Sequence, residues 1–568
     1  MTIKTSLLGS AALGVICALS MVGAADAAAK HKASGEPSLA EQVKQLQATV
    51  ESLEQTVQAQ AAAQQQAQAT TAQQLQDAQA RADAATAAAK SAQAKLDMQI
   101  QQIPGTVQST VQSTVQASLP KPGNVKITMG GFAAAESVYR SKQNVSDIGS
   151  NFSKIPYENN PLARLDESRF TARQSRLSVL VQGDVNPTTH AAFYGEFDFL
   201  GAAQTANSNE SNSYNPRIRH VYGTVDWDDI GVHLLAGQNW SLTTMNGKGI
   251  TPRNEVIPAT IEAQYAVGFV WQRTPQIRIV KDLMDKQLWL AASLENSQTT
   301  FGAAPTGVSA TAAGVTANTS AAGIGLLANV NNFSYNQVPD AVVKAAFEPD
   351  IGGSRPLHVE AFGVFRQFYD RVTYATGNAL GLPAQITNKT TEGSGFGGGL
   401  TWTVVPKILD VQASGLTGKG IGRYGSGQLP DIIPGTDGSL RPIKETMYLV
   451  GATLHATPTL DLYTYWGQEK QQATGVTQIG TTFFGYGNPN ANLAACLVEG
   501  GACSPDTKQE SQINFGLWDR FYQGKFGNLR IGLQYSHIEL EAFSGLNGVR
   551  PKTNDDMFFT SFRYYPSF

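Results

Sequence analysis

The sequence predicts an all-β transmembrane barrel of about 16 antiparallel strands, preceded by an N-terminal α-helical coiled coil. Three observations predict this fold: an export signal at the start, a heptad pattern that gives way to period-two alternation, and short turns that alternate with long polar loops. The 568 residues divide accordingly into a signal peptide (1–27), a periplasmic coiled coil (38–103), a linker (104–123) and the barrel (124–568).

The first residues direct the chain to export. Lys4 supplies a positive charge, residues 7–23 form an apolar run, and residues 25–27 give an A-x-A cleavage site. The run is shorter than the roughly 20 residues that a helical span needs, which favours a signal peptide over an anchor. Since no later stretch is long and apolar enough, we expect any membrane crossing by the mature protein to use strands.

The cysteines fit an oxidising compartment. Cys17 lies in the signal peptide, which leaves Cys496 and Cys503 as a pair. In an exported protein such a pair predicts a small disulfide loop. A metal site is the rival interpretation, but no histidine lies nearby and two thiolates do not complete a tetrahedral site. We therefore predict no metal and no cofactor.

A helical region precedes the barrel. Apolar residues recur four and three apart over residues 39–57, and again in a displaced phase over 75–96, as in a heptad seam with a stutter. Alanine and glutamine are good helix formers, and no glycine or proline interrupts residues 39–103, which favours helix over disorder. Pro104 and Gly105 end the helix. Small alanine cores permit several oligomeric states, so this pattern leaves the number of chains open.

From residue 124 onward the pattern has period two. Phe193 and Phe197 share one face of a strand, and Glu196 and Asp198 share the other, so one face suits lipid and the other water. A soluble β-sandwich would alternate in the same way. Short turns such as 184–188 alternate with long loops such as 142–167, however, and this favours a barrel. The predicted strands begin near Val125, Arg169, His190, Pro216, Gly231, Gln264, Lys286, Ala341, Ser354, Gly395, Lys407, Ile443, Thr459, Gln509, Gly527 and Asp555.

The chain ends on aromatic residues at even spacing, which looks like the terminal strand signal by which outer-membrane barrels are recognised for insertion. These residues are Phe558, Phe562, Tyr564 and Phe568. Further segments carry a resemblance: the heptads over 39–57, FTARQSRLSVLVQGDV from Phe170, AFYGEFDFLG from Ala192, PRIRHVYG from Pro216 and LLAGQNWSL from Leu234. Together they make the chain resemble the DcaP-like trimeric porins. The resemblance implies a homotrimer in the outer membrane of a Gram-negative bacterium and passive uptake, in some members of anions such as dicarboxylates.

Charged residues cluster in the first strands and define the predicted pore lining. The candidates are Arg169, Arg173, Arg176, Glu196, Asp198, Arg217, Arg219 and Arg530. In a narrow pore arginines lower the barrier for anions and can bind carboxylates through two donors. Alternation places Arg176 on the polar face of its strand. The same phase places Arg169 and Arg173 on the lipid side unless a bulge intervenes, and Arg217 and Arg219 share the parity of apolar neighbours.

A second group of candidates follows the strand that ends at Trp240. Residues 243–260 stand where a porin constriction loop would be, and the side chains that could narrow the pore are Asn246, Lys248, Arg253 and Glu255. An ordinary outward loop is the alternative.

These patterns predict a porin for passive diffusion of small hydrophilic solutes, with a preference for small anions as a hypothesis. The alternative is a structural protein whose coiled coil contacts peptidoglycan and whose barrel is an anchor in outer-membrane lipid. An enzyme is not expected, because no G-x-S-x-G, no zinc-ligand spacing and no paired histidine and carboxylate set stands out. A net charge of −3 leaves no basic surface for nucleic acid.

Overall fold

The computed structural model describes residues 125–201, 212–302, 309–310, 314–317, 336–479 and 482–567. The predicted signal peptide, coiled coil and linker lie outside the described residues. The described part of the chain belongs to the predicted barrel region.

Sixteen antiparallel strands close into one barrel in this part of the chain, which confirms the predicted fold class and strand number of the barrel. The strands are β1 (Val125–Arg140), β2 (Glu167–Thr171 and Arg176–Asn186, interrupted between the two), β3 (Thr189–Asp198), β4 (Arg217–Trp227), β5 (Val232–Trp240), β6 (Arg273–Leu283), β7 (Leu288–Glu295), β8 (Asp340–Phe347), β9 (Leu357–Tyr374), β10 (Gln385–Val405), β11 (Leu409–Lys419), β12 (Lys444–His455), β13 (Leu460–Gln471), β14 (Thr507–Gly524), β15 (Gly527–Ala542) and β16 (Lys552–Tyr565).

The first and last strands close the barrel. β1 pairs with β16 from Ala133 opposite Tyr564 to Arg140 opposite Met557, and it pairs on its other side with both segments of β2. Closure removes the unpaired edges that an open sheet would expose, which is the condition for strands to cross a bilayer.

The connections differ at the two ends of the barrel. At the end that we call the short-turn rim, the turns are 187–188, 228–231, 284–287, 348–356, 406–408, 456–459 and 525–526. At the long-loop rim, the connections are 141–166, 199–216, 241–272, 296–339, 375–384, 420–443, 472–506 and 543–551. β1 begins and β16 ends at the short-turn rim. In outer-membrane barrels short turns face the periplasm and long loops face outward.

The two faces of the strands differ as period-two alternation predicts. In β15 the side chains of Ile531 and Leu533 are exposed on the outside, whereas Gln534 and Ser536 are buried inside. Phe170 on β2 is 85% exposed on the outer surface. An apolar exterior around a polar interior is the inverse of a soluble sandwich.

Two of the predicted strand starts are wrong. Gln264 lies within residues 241–272, which fold into the barrel, and β6 begins only at Arg273. Gly395 lies in the middle of β10, which begins at Gln385. The early part of β10 is polar on both faces, so alternation gives no signal there.

Two long-loop connections pack against the inner wall of the barrel. One buried apolar cluster joins Leu242 and Ile250 of the 241–272 connection to wall residues such as Val364 and to Tyr424 of the 420–443 connection. These long-loop connections therefore turn inward instead of projecting into water. Among the residues that the structure describes, no helix is long and apolar enough to cross a bilayer.

A disulfide joins Cys496 and Cys503 in the 472–506 loop, with their Cα atoms 5.1 Å apart. Asn159 of the 141–166 loop binds this region: its backbone N donates to the Cys496 carbonyl at 3.1 Å, and its Nδ2 donates to the Gly501 carbonyl at 2.9 Å. The disulfide loop is thereby fastened to a second loop at the long-loop rim.

Candidate functional site

Residues 241–272, which we call the first inner segment, cross the lumen. Backbone amides of this segment donate to side chains on strands far apart around the barrel, because buried amides need partners. The pairs are Asn246 N to Glu360 Oε2 of β9 (3.1 Å), Val267 N to Gln512 Oε1 of β14 (2.9 Å) and Ile261 N to Gln534 Oε1 of β15 (2.6 Å). These contacts hold the described first inner segment inside the barrel.

Residues 420–443 form a second inner segment, which the sequence analysis did not identify. Trp271 N of the first inner segment donates to Tyr424 O of the second at 2.9 Å. Glu469 on β13 joins both, because its Oε1 accepts from Gly268 N at 2.8 Å and from Gly427 N at 3.0 Å. The available signal was the pair Ile432 and Ile433, since bulky apolar residues in a loop indicate burial.

Glycines on the inner face of β10 allow the inner segments to lie close to the wall. A Cβ at Gly399 would be 2.3 Å from Met245 Sδ of the first inner segment, and a Cβ at Gly397 would be 2.4 Å from the Phe362 ring. Neither position has room for a side chain. The glycine run of β10 therefore serves close packing.

A cavity of about 230 Å³ lies between the wall of β2 to β5 and the first inner segment. Its lining residues are Arg176, Tyr194, Glu196, Arg219, His220, Tyr222, Asn239, Trp240, Arg253, Glu255 and Ile257. The structure thus brings together five residues that the sequence predicted for the pore: Arg176, Glu196, Arg219, Arg253 and Glu255. We call this space the arginine cavity.

Ion pairs organise the wall of the arginine cavity. Asp198 is fully buried and receives Arg217 Nη2 at 2.7 Å and Arg219 Nη1 at 3.0 Å. Arg219 also binds Glu196, and Arg176 Nη1 lies 3.9 Å from the same carboxylate. Each carboxylate is therefore matched by more than one guanidinium, which leaves the wall with an excess of positive charge.

A bulge turns the β4 arginines inward. Glu196 pairs with His220, but Phe197 pairs with Ile218, so one extra residue, Arg219, is accommodated between them. Ile218 is exposed on the outer face, and Arg217 and Arg219 face the lumen. Strict alternation along the strand grouped these arginines with apolar neighbours. That grouping is wrong, because the bulge shifts the inward and outward alternation by one residue.

The interruption of β2 has the same effect on Arg169. Phe170 points outward, and Arg169 lies beside Glu167, its Nε 3.3 Å from Glu167 Oε2. Residues 172–175 leave the strand and shift the phase before Arg176. Arg169 therefore shares the inner side with Arg176, although it does not line the arginine cavity.

Arg173 and Arg530 also lie outside the arginine cavity. Arg173 is buried among loops: Nε donates to Phe199 O at 3.1 Å, Nη1 lies 3.1 Å from Asp147, and the guanidinium stacks on Tyr214. Arg530 lies toward the short-turn rim, with its guanidinium 4.4 Å from the Tyr565 ring. The geometry gives Arg173 a loop-fastening position.

The four predicted constriction residues divide into two kinds. Asn246 is buried, and Lys344 Nζ of β8 donates to its side chain at 3.2 Å, so Asn246 fastens the segment. The backbone of Glu255 pairs with that of Asn246 in an isolated antiparallel β-bridge, and its side-chain Oε1 accepts a hydrogen bond from Asn239 Nδ2 at 3.3 Å. Lys248 and Arg253 are exposed, and Arg253 Nη1 donates to Tyr222 OH at 3.2 Å. Of the two residues Lys248 and Arg253, only Arg253 lines the arginine cavity.

The pKa of Tyr265, in the first inner segment, reflects the positive charge around its phenol group. Arg219 Nη2 donates to its phenol oxygen at 3.4 Å. Burial alone would raise the pKa of Tyr265, but the guanidinium groups of Arg219, Arg273 and Arg176 hold that pKa below its usual value. A site that favours a phenolate also favours other anions. The nearby carboxyl of Glu255, in contrast, has its pKa raised by burial.

Sequence reasoning missed Arg273, which opens β6 and stacks beside Trp240 and Trp271. Arg273 was overlooked because the sequence analysis placed the start of this strand near Gln264. Among the described residues, no group of three or more His, Cys, Asp or Glu side chains is placed to hold a metal ion. The polar and aromatic groups that line the arginine cavity are arginines, two carboxylates, aromatic rings and a neutral amide.

Comparison with protein-family models finds no match. No curated protein sequence matches the chain. Among solved structures, the outer membrane channel DcaP of Acinetobacter baumannii aligns with 79% of this chain and 99% of its own length, at 16% identity and a TM-score of 0.53.

Two further solved structures align less closely. OprB of Pseudomonas putida covers 78% of this chain and 94% of its own, at 9% identity and a TM-score of 0.42. OmpF of Salmonella typhi, in complex with daunomycin, covers 79% and 99%, at 12% identity and a TM-score of 0.41. The chain has the fold of the DcaP outer membrane channel, as its sequence motifs predicted.

Proposed function

We propose that the protein is an outer-membrane channel for passive diffusion of small hydrophilic solutes and that it favours small anions. The observation that carries the proposal is the closed barrel whose polar lumen is crossed by an inner segment beside an arginine-rich cavity. Water-filled space lined by fixed charge is what a diffusion channel requires.

The charge of the cavity supports the preference for anions. Three arginines and two carboxylates line it, and the adjacent pair of Arg217 and Asp198 adds one charge of each sign, so cations exceed anions by one. Guanidinium groups bind carboxylates through two parallel donors, which suits small carboxylates such as dicarboxylates. Glu196 and Asp198 moderate this preference, so we expect anion selectivity without exclusion of cations.

Single-channel recording in planar bilayers tests the proposal. We expect the purified, folded protein to give discrete conductance steps, and a KCl gradient to give a reversal potential on the anion side. A heat-unfolded sample of the same preparation is the control. Folded protein that inserts without conducting contradicts the channel, and a cation-side reversal potential contradicts the anion preference.

We further propose that residues 1–27 are removed on export and that residues 38–103 form a periplasmic coiled coil of a homotrimer. A tether to peptidoglycan is the second candidate function. It is favoured by one observation: β1 begins at the short-turn rim, which in this class of barrel faces the periplasm. Recording from a variant that lacks residues 39–103 separates the two roles. Retained conductance with a weakened envelope supports both, and unchanged envelope integrity contradicts the tether.

A further inference from the structure

Arg273, the first residue of β6, lies beside two indole rings that contact each other. Its guanidinium carbon is 5.3 Å from the centre of the Trp240 ring and 5.4 Å from that of Trp271, and the two indoles are 5.8 Å apart. Aromatic faces attract a cation and fix the plane of the guanidinium. Arg273 is therefore held in place by aromatic contacts.

Within the described part of the chain, Arg273 has no carboxylate partner, unlike Arg217 and Arg219. Its Nη1 is buried and has no hydrogen-bond partner among the described residues. Asp198, a carboxylate near enough to act on it electrostatically, is already bound by Arg217 and Arg219. Arg273 itself is half-buried, and a guanidinium held inside the barrel without a counter-ion is unfavourable, so the site is suited to an anion from solution.

A second cavity, of about 180 Å³, provides the space for such an anion between the two inner segments. Its lining residues are Trp271, Gln272, Arg273, Gln298, Thr300, Arg423, Gly425 and Gln428. Arg423 is occupied, because its Nη1 donates to Gln298 O at 2.8 Å and its Nη2 binds Gln272 Oε1. The remaining side chains are neutral amides and a hydroxyl, which can bind a carboxylate without repelling it.

We propose that Arg273 is an anion-binding residue of the lumen and holds a small carboxylate in the cavity between the two inner segments. This inference rests on the proposed channel function and assigns part of its selectivity to a residue that forms no ion pair with any carboxylate the structure describes. Trp240 and Trp271 act as positioning residues, since they keep the guanidinium edge directed to the cavity.

Reversal potentials in a potassium acetate gradient test the inference, with Arg273→Gln compared with wild type. We expect the acetate-to-potassium permeability ratio to fall at least fivefold. Arg371→Gln is the matched control, because it removes the same charge from an exposed residue on the outer face of β9, and we expect a change of less than twofold. Arg273→Lys, which keeps the charge but loses the two-donor guanidinium, should lower the ratio less than Arg273→Gln does.

A ratio for Arg273→Gln within twofold of wild type overturns the inference while leaving the channel intact. Absence of any wild-type conductance overturns the proposed function instead.

If Arg273→Gln does not migrate as a folded barrel in unheated detergent gels, Arg273→Lys replaces it in separate acetate and chloride gradients. Loss of the two-donor guanidinium should then lower acetate permeability relative to chloride at least twofold, and an unchanged relation overturns the inference.

Discussion

Asp198 illustrates how this lumen accommodates a buried charge. The carboxylate is inaccessible to solvent and binds Arg217 and Arg219 at the same time. The two arginines differ in exposure, since the Arg217 side chain is 38% exposed and the Arg219 side chain 2% exposed. A pair that solvent can reach is worth little, whereas removal of one buried partner leaves an uncompensated charge.

We therefore expect Arg219→Ala to destabilise the barrel by about 3–5 kcal/mol, the usual result of breaking a buried pair. The temperature at which the protein loses its folded mobility in detergent gels measures this effect. Arg217→Ala is the matched control at the same acceptor and should lower that temperature much less. Equal effects of the two substitutions would show that burial does not distinguish them.

At this scale the sequence predicted the composition of the site better than the direction of its side chains. Arg176 and Glu196 follow simple alternation, and both line the arginine cavity. The inward direction of Arg217 and Arg219 depends on a bulge between β3 and β4. A bulge is a property of strand pairing and cannot be read from one strand alone. Arg273 was missed because the preceding segment looked like a strand.

At the scale of elements, Glu469 holds both inner segments with one carboxylate oxygen. The amides of Gly268 and Gly427 converge on it, and Gly268 adopts a positive φ of 84° that favours glycine. A Cβ at Gly425 would lie 2.2 Å from Glu469 Oε2. The packing is too close for any longer side chain in the loop.

Replacing Glu469 by leucine removes the acceptor and leaves two buried amides without partners. We expect Glu469→Leu to loosen both inner segments and to raise single-channel conductance and open-channel noise by about twofold, given that each unpaired amide costs about 1–3 kcal/mol. Glu469→Gln keeps a carbonyl oxygen of the same reach and serves as the control. Identical recordings from the two variants would mean that the segments are held by other contacts.

The strands were predictable as elements, and the inner segments only in part. Strands carry a strong alternating signal wherever one face meets lipid. The position after the strand ending at Trp240 made the first inner segment a candidate constriction loop in the sequence. No comparable position in the sequence identifies the second inner segment. Its burial depends on distant wall residues such as Arg366, whose Nη1 binds Asp431 at 2.8 Å. Such contacts between distant parts of the chain leave no local pattern.

For the whole molecule, the two rims give a prediction about orientation. Asp350 lies exposed in a turn of the short-turn rim, and Leu382 lies exposed in a loop of the long-loop rim. We expect a membrane-impermeant maleimide to label Leu382→Cys on intact cells, and to label Asp350→Cys only after the outer membrane is opened. Wild type is the control, because Cys496 and Cys503 are joined to each other. Labelling in the reverse order would invert the orientation.

The barrel as a whole was predictable because backbone groups in lipid must be paired, which requires closure, and because alternation and loop length mark the strands and the two rims along the chain. The end of the chain supplied the remaining evidence, with Phe558 and Phe562 exposed on the outer face of β16. The predicted coiled coil lies outside the described residues and stays a prediction.

The seam between β1 and β16 joins the strands that are synthesised first and last. Until residues 552–565 emerge, the sheet has two open borders whose amides and carbonyls would attract other chains. Pairing of β16 with β1 removes both borders in a single step. The eight residue pairs from Ala133 with Tyr564 to Arg140 with Met557 therefore decide whether the sheet is open or closed.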